Sequence, residues 1–174
     1  AVYQAYSAAT ADAALEAHLQ RLGVAHELRA GPLPMVNRVI YQHDGQPMVS
    51  IVIPTKDQLP MLMRCIESLM EKTRYTNYEL IIVDNNSETT EAREWFAGME
   101  RLNSAKVRIL RYPHPFNYWA INNFAVSQAR GDYLVLLNND TAIIDGDWLD
   151  SLLHHAQRPE VGIVGAKLLF LDGT

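Results

Sequence analysis

Four apolar, β-rich runs, Val49–Pro54, Tyr78–Asp84, Val107–Tyr112 and Tyr133–Asn138, end at intervals of 30, 28 and 26 residues. Each interval is the length of one strand–helix–strand unit, the crossover that parallel strands require. The runs are apolar at successive rather than alternate positions, as in Ile51-Val52-Ile53 and Leu80-Ile81-Ile82-Val83. Such strands need cover on both faces. The spacing therefore predicts an α/β fold with an open, mostly parallel sheet and helices on both faces.

The intervening helices are legible as well. Leu62, Cys65, Ile66, Leu69 and Met70 fall on one face of the first, Ser87 is placed to N-cap the second, and Ala120–Ala129 forms a third that stops at Gly131. A fourth is expected near Asp147–Gln157, before Pro159, with His154-His155 as a solvated pair near its end. The apolar run Val161–Leu171 predicts one further strand, or two broken at Gly165. Upstream, Ala8–Leu22 has leucines at helical spacing and Gly23 placed as a C-terminal cap. Two short extended segments follow, His26–Arg29 and Val36–Gln42, separated by Gly31-Pro32-Leu33-Pro34 and closed by Asp44-Gly45. Residues 1–47 thus read as a connector or the tail of an upstream module, and 48–174 as the α/β domain. A start at Ala1 and the turn-like Asp172-Gly173-Thr174 after an apolar run lead us to expect a piece of a longer protein.

Composition narrows the partners. Among 174 residues, 15 Lys and Arg stand against 20 Asp and Glu, a net charge of −5 and the wrong sign for binding nucleic acid by counterion release. Cys65 is the only cysteine, which excludes an intrachain disulfide and a cysteine-based zinc site and fits a reducing compartment. No apolar run approaches the ~20 residues of a membrane span, and no secretory leader is visible. A soluble, cytoplasmic domain is expected, with any association at the inner face of the cell membrane made through other parts of the protein.

Open parallel sheets bind ligands beyond the carboxyl ends of their strands. Here those ends read Pro54-Thr55-Lys56-Asp57, Asp84-Asn85-Asn86-Ser87, Tyr112-Pro113-His114 and Asn138-Asn139-Asp140-Thr141. No glycine-rich dinucleotide fingerprint, P-loop, nucleophile elbow or zinc-protease motif accompanies them. Asp84 is placed to accept a hydrogen bond from a base or a ribose hydroxyl, and the same four residues equally suit an Asx turn. Asn138-Asn139-Asp140 is similar to a D-x-D element. A hard cation held by one carboxylate and completed by phosphate and water could sit there, or the tripeptide could be a turn.

In order and spacing, Val49–Thr55, Glu79–Ser87 and Ala129–Thr141 resemble the family 2 glycosyltransferases with the GT-A fold, a Rossmann-like sheet. The later Asp147-Trp148-Leu149 and Pro159-Glu160-Val161-Gly162 fit the same pattern. The resemblance covers residues 48–174. It implies transfer of a sugar from a nucleotide-diphosphosugar, a UDP- or dTDP-sugar, with inversion, to a glycan or lipid-linked acceptor in bacterial cell-surface polysaccharide synthesis, assisted by Mg²⁺ or Mn²⁺. Pro54, Thr55 and Asp57 would line the nucleotide pocket, with Asp84 and Asn85 on the base or ribose. Asn122 and Asn123 would lie on the donor-site helix, Asn138 and Asn139 in the D-x-D-like element, and Asp140 would be the metal ligand. The general base of such enzymes lies in an acceptor half, which is expected beyond Thr174. A nucleotidyltransferase and a non-catalytic, flavodoxin-like binding module are the competing readings; the first would be expected to carry a glycine-rich basic loop after its first strand, and Pro54-Thr55-Lys56-Asp57 has no glycine.

Overall fold

The N-terminal helix α1 (Val2–Arg21) ends in a Schellman motif. Val24 N–H reaches Leu19 O at 3.1 Å, Gly23 N–H reaches Gln20 O at 3.0 Å, and Gly23 takes the left-handed φ of 66° that the motif requires. The computed structural model describes residues 2–31, 33 and 36–170. After α1, β1 (His26–Ala30) pairs antiparallel with β2 (Asn37–Tyr41), His26 opposite Tyr41. Pro32, Pro34 and the terminal Asp172-Gly173-Thr174 lie outside the described residues.

Gln46 to Trp148 make one compact unit, and the described residues 2–45 and 149–170 make another. In the unit built on the N-terminus, both ring nitrogens of His26 face acceptors, Val24 O at 2.7 Å and Glu16 Oε2 at 3.1 Å. The Val24 carbonyl first, and then Glu16, raise the pKa of the imidazole above its ordinary value. The expectation of a solvated histidine pair at 154 and 155 is corrected for His154, whereas His155 is exposed. His154 Nδ1 lies 2.7 Å from Tyr41 O, its own carbonyl is 2.9 Å from His43 Nε2, and His155 meets the Tyr41 ring edge-on at 5.3 Å. Residues 161–170 form no strand. Ile163 is 94% exposed and Phe170 79%, and without a ladder partner an apolar run gains neither hydrogen bonds nor burial as a strand.

The other unit carries the parallel sheet. Along the chain come β3 (Val49–Thr55), α2 (Leu59–Lys72), β4 (Tyr78–Asp84), α3 (Thr90–Leu102), β5 (Val107–Arg111), α4 (Tyr118–Val126), β6 (Tyr133–Leu136) and the start of α5 (Trp148–Ala156). The strands lie in the order β5-β4-β3-β6, all parallel. Register sets Val52 beside Ile81, and these with Val83 pack under Ile121 and Ala125 of α4. Ile51, Ile53, Leu80 and Ile82 point to the opposite face and are equally buried. Water is thus excluded from both faces of the central strands, as their continuous apolar sequence demands.

Three local expectations need correction. Met70 is half exposed while Leu62, Cys65, Ile66 and Leu69 are buried, so the apolar stripe of α2 is narrower than predicted. The N-cap of α3 is Thr89, because Ser87 is buried and its hydroxyl accepts from Asp57 N–H at 2.8 Å. Finally, β6 stops at Leu136 and not at Asn138. The Asn138 carbonyl is drawn into a turn by Thr141, whose N–H and hydroxyl reach it at 3.3 and 2.7 Å.

At the amino ends of the strands the chain closes tightly. Gly131 passes so near β3 that a Cβ there would lie 2.5 Å from Ser50 N, which only glycine permits. Buried Glu79 accepts from Ser50 Oγ and Arg130 N–H, both at 2.8 Å, and pairs with Arg108 at 3.1 Å. Burial alone would raise the Glu79 pKa; the Ser50 hydroxyl, the Arg130 amide and the Arg108 guanidinium outweigh it and hold the carboxyl below its ordinary value.

Candidate functional site

A cavity of about 290 Å³ opens at the carboxyl ends of the strands. The end of β3 contributes Pro54, Thr55, Lys56 and Gln58, the end of β4 contributes Asn85, and the turn after β6 contributes Asn138 and Asn139. Its remaining wall is Phe116, Tyr118 and Ile121, from the β5–α4 loop and α4. Five of the residues predicted from sequence border it: Pro54, Thr55, Asn85, Asn138 and Asn139. The aromatic wall was not predicted, although Pro113-His114-Pro115-Phe116 could have signalled it as a stiff loop carrying an aromatic.

The loop after β3 is built under strain. Asp57 and Gln58 are consecutive non-glycine residues with positive φ, 52° and 44°, a conformation that costs on the order of 1–3 kcal/mol each. Asp57 Oδ1 accepts the N–H groups of Thr89 and Glu88 at 2.9 and 2.8 Å, which holds its carboxyl below the ordinary value, Thr89 contributing most. Gln58 O meanwhile accepts from Met61 and Leu62 to start α2. Asp57 therefore braces the rim and does not line the cavity. Lys56 is exposed and paired with Glu88 at 2.8 Å.

Asp84 presents no free carboxylate to the crevice. It is 3% exposed, its Oδ1 accepts Ser87 N–H at 3.0 Å and its Oδ2 meets Arg111 Nη1 at 2.5 Å. The cause is register: β4 and β5 set Asp84 directly beside Arg111, and a buried carboxylate takes the nearest cation. Arg111 in turn pairs with Glu100 at 2.8 Å. Asn85 is also buried, and its amide donates to Tyr112 O and His114 O at 3.0 and 2.8 Å. On α4, Asn122 is buried and donates to Tyr118 O at 2.8 Å, while its Oδ1 has no hydrogen-bond partner among the described residues. Asn123, the next residue, is exposed.

The turn after β6 is fastened from two sides. Asn139 Nδ2 donates to Thr55 Oγ1 at 2.9 Å, and the buried thiol of Cys65 lies 3.7 Å from Asn138 O and 3.8 Å from Thr141 Oγ1. Burial pushes the Cys65 pKa up, so this thiol stays protonated and packs. Farther along, Lys72 donates to Ile143 O and Trp148 Nε1 to Thr73 Oγ1, both at 2.9 Å. Asp140 follows Asn139 and is exposed. No group of three His, Cys, Asp or Glu side chains is placed to hold a metal ion among the described residues. The turn offers one carboxylate and neighbouring amide oxygens, an all-oxygen set that fits a hard cation whose shell is completed by phosphate and water. No helix among the described residues is long and apolar enough to cross a membrane.

Residues 50–172 match the family model described as Glycosyl transferase family 2. The chain is 46% identical over 161 residues to the O-antigen biosynthesis protein RfbC of Myxococcus xanthus and 46% identical over 161 residues to the uncharacterized protein y4gI of Sinorhizobium fredii. Those matches take in 92% of this chain but only 12% and 18% of the relatives, so the chain spans less than a fifth of their length. Among solved structures, the mannosyltransferase PcManGT of Pyrobaculum calidifontis, in complex with GDP-Man and Mn²⁺, aligns with 92% of this chain and 44% of its own, at TM-score 0.60 and 16% identity. GalNAc-T7 with UDP, GalNAc and Mn²⁺ aligns with 66% of this chain and 21% of its own, at TM-score 0.59 and 18% identity. With a GT-A sheet, a cavity at its carboxyl edge and a family match over most of its length, this chain belongs to glycosyl transferase family 2.

Proposed function

We propose that this chain is the donor-binding part of a glycosyltransferase that takes a sugar from a nucleotide-diphosphosugar, with inversion, and passes it to a glycan or lipid-linked acceptor in cell-surface polysaccharide synthesis. The observation that carries this reading is the cavity itself. It runs from the oxygen-bearing turn after β6, across Thr55, to Asn85 and an aromatic wall, and so offers a phosphate end and a nucleoside end at one sheet edge. The relation to an O-antigen biosynthesis protein supports the polysaccharide assignment, and the nucleotide sugars and Mn²⁺ named for the structural neighbours support the donor class.

In this reading Asp140, with amide oxygens of Asn138 and Asn139, would hold Mg²⁺ or Mn²⁺, and the cation would supply positive charge against that of the diphosphate leaving group. Thr55 keeps Asn139 oriented. Asp84, buried and closed on Arg111 and Ser87, fixes the β4 end of the cavity and does not meet the nucleoside itself. The acceptor's general base is assigned to no residue of this chain. Proton transfer by a positioned base contributes typically 10²–10⁴-fold, so the chain alone is expected to bind donor and transfer sugar poorly.

The test is a thermal-shift panel of uridine, thymidine and guanosine diphosphates with Mn²⁺, with Mg²⁺ and in EDTA. At about 100 times its Kd a ligand adds about 2.7 kcal/mol, which for a chain of this size raises Tm by roughly 5–10 °C. No shift with any of the three nucleotides overturns the reading.

A further inference from the structure

The loop between β5 and α4 is braced at three points. Pro113 and Pro115 restrict its backbone, Asn85 spends both amide protons on Tyr112 O and His114 O, and Asn117 Oδ1 accepts Ala120 N–H at 3.1 Å to close the loop onto α4. On it stands Phe116, 73% exposed and bordering the cavity. A large apolar ring held in water on a stiff loop gives up the roughly 1.5–3 kcal/mol that burying it would yield. Tyr118, which lines the same cavity, and Trp119, 74% exposed and edge-on to Tyr118, extend it into an exposed apolar cluster, and such a cluster beside a cavity marks a binding surface.

Its position in the sheet says which part of a ligand it meets. The turn with Asn138 and Asp140 follows β6, Asn85 follows β4, and β3 lies between, so about 9–10 Å separate the two ends of the cavity. With cation and diphosphate at the β6 end, the nucleoside falls at the β4 end. There the amide hydrogens of Asn85 are already used within the chain, and what remains for recognition is an aromatic face. We propose that Phe116 is the platform on which the donor's nucleobase stacks, and that Asn85 is a positioning residue that holds the loop carrying it. The proposal rests on the nucleotide-sugar reading above.

Stacking a base on an aromatic ring is worth about 1–3 kcal/mol, so Phe116→Ala is expected to weaken nucleoside diphosphate binding roughly 5- to 150-fold. Binding is measured by titration calorimetry of the 174-residue chain in Mn²⁺, with uridine, thymidine and guanosine diphosphates against inorganic pyrophosphate. Pyrophosphate affinity should not change, and Phe116→Trp should retain nucleotide affinity. Phe116 is exposed, so its variants stay folded. In the Phe116→Ala background Asn85→Ala should cost less than about twofold, the two residues acting through one contact. If no nucleoside diphosphate binds the unmutated chain better than pyrophosphate, the donor reading falls and this proposal with it. A nucleotide preference that survives Phe116→Ala overturns the stacking proposal alone. An undiminished Asn85→Ala loss in the Phe116→Ala background overturns the positioning role.

Discussion

The two ends of the parallel sheet use the same kinds of polar residue for opposite purposes. At the amino end, Ser50, Glu79 and Arg108 are closed on one another and on the backbone of the Gln128–Gly131 segment, which leaves Glu79 fully buried with both oxygens engaged. At the carboxyl end, Asp84 and Asn85 are engaged as well, but Asn138 and Phe116 border open space, Asp140 is exposed and Asn122 Oδ1 has no hydrogen-bond partner among the described residues. Three of the four non-glycine residues with positive φ among the described residues, Asp57, Gln58 and Asn86, lie at that end too, the fourth being Asn103 at the C-cap of α3. One end is a structural knot; the other carries strain and unspent hydrogen-bonding capacity, which is where ligand chemistry is to be sought.

The comparison breaks if the two ends respond alike to mutation. Glu79→Ala should have the largest effect on stability, about 3–5 kcal/mol in denaturant unfolding, because it strands the Arg108 charge and leaves Ser50 Oγ and Arg130 N–H unpaired. A loss below 1 kcal/mol would show that the knot is dispensable. Asp140→Ala should do the reverse. Unfolding in the absence of ligand should be unchanged, while the metal-dependent part of the nucleotide thermal shift, up to the roughly 2.7 kcal/mol expected at saturation, disappears. An equal nucleotide shift in excess EDTA would remove the cation from Asp140.

The smallest expected effect separates acid from alkaline behaviour. Glu79, with its pKa lowered on folding, stabilises above the unfolded value near 4.5 and loses that contribution as pH falls through the folded value. His26, with its pKa raised, stabilises fully below the unfolded value of 6.5 and loses its contribution as pH rises through the folded one. Protection factors of the β1 and β2 amides, corrected for the base-catalysed rise of intrinsic exchange, should accordingly fall above neutrality, and His26→Ala should flatten that dependence. Protection factors that rise between pH 6 and 8 would contradict the double-acceptor geometry at His26.

The strand–helix alternation was legible because each element carries its own periodicity. The residues on the cavity rim were legible because parallel sheets bring strand ends to one edge. What sequence could not show was set by register between distant strands. Asp84 reads as a free acceptor until β5 places Arg111 beside it, and Ser87 reads as a cap until Asp57 claims its hydroxyl from 30 residues away. The run Val161–Leu171 reads as a strand from composition, but a strand is made by its neighbour, and residues 161–170 have none. Phe116 escaped notice because exposure, and not residue type, is what makes it conspicuous.

The order β5-β4-β3-β6 has a consequence for assembly in time. Val49 meets Tyr78 at a sequence separation of 29 and Tyr133 at a separation of 84. Loop-closure entropy grows with the logarithm of separation, so docking β6 costs about 1 kcal/mol more than docking β4. As the chain emerges from its N-terminus, β3, β4 and β5 can pair first. The partly folded chain would then hold the Asn85 and Phe116 end of the cavity before the Asp140 turn exists, and the phosphate end of the site would be completed last.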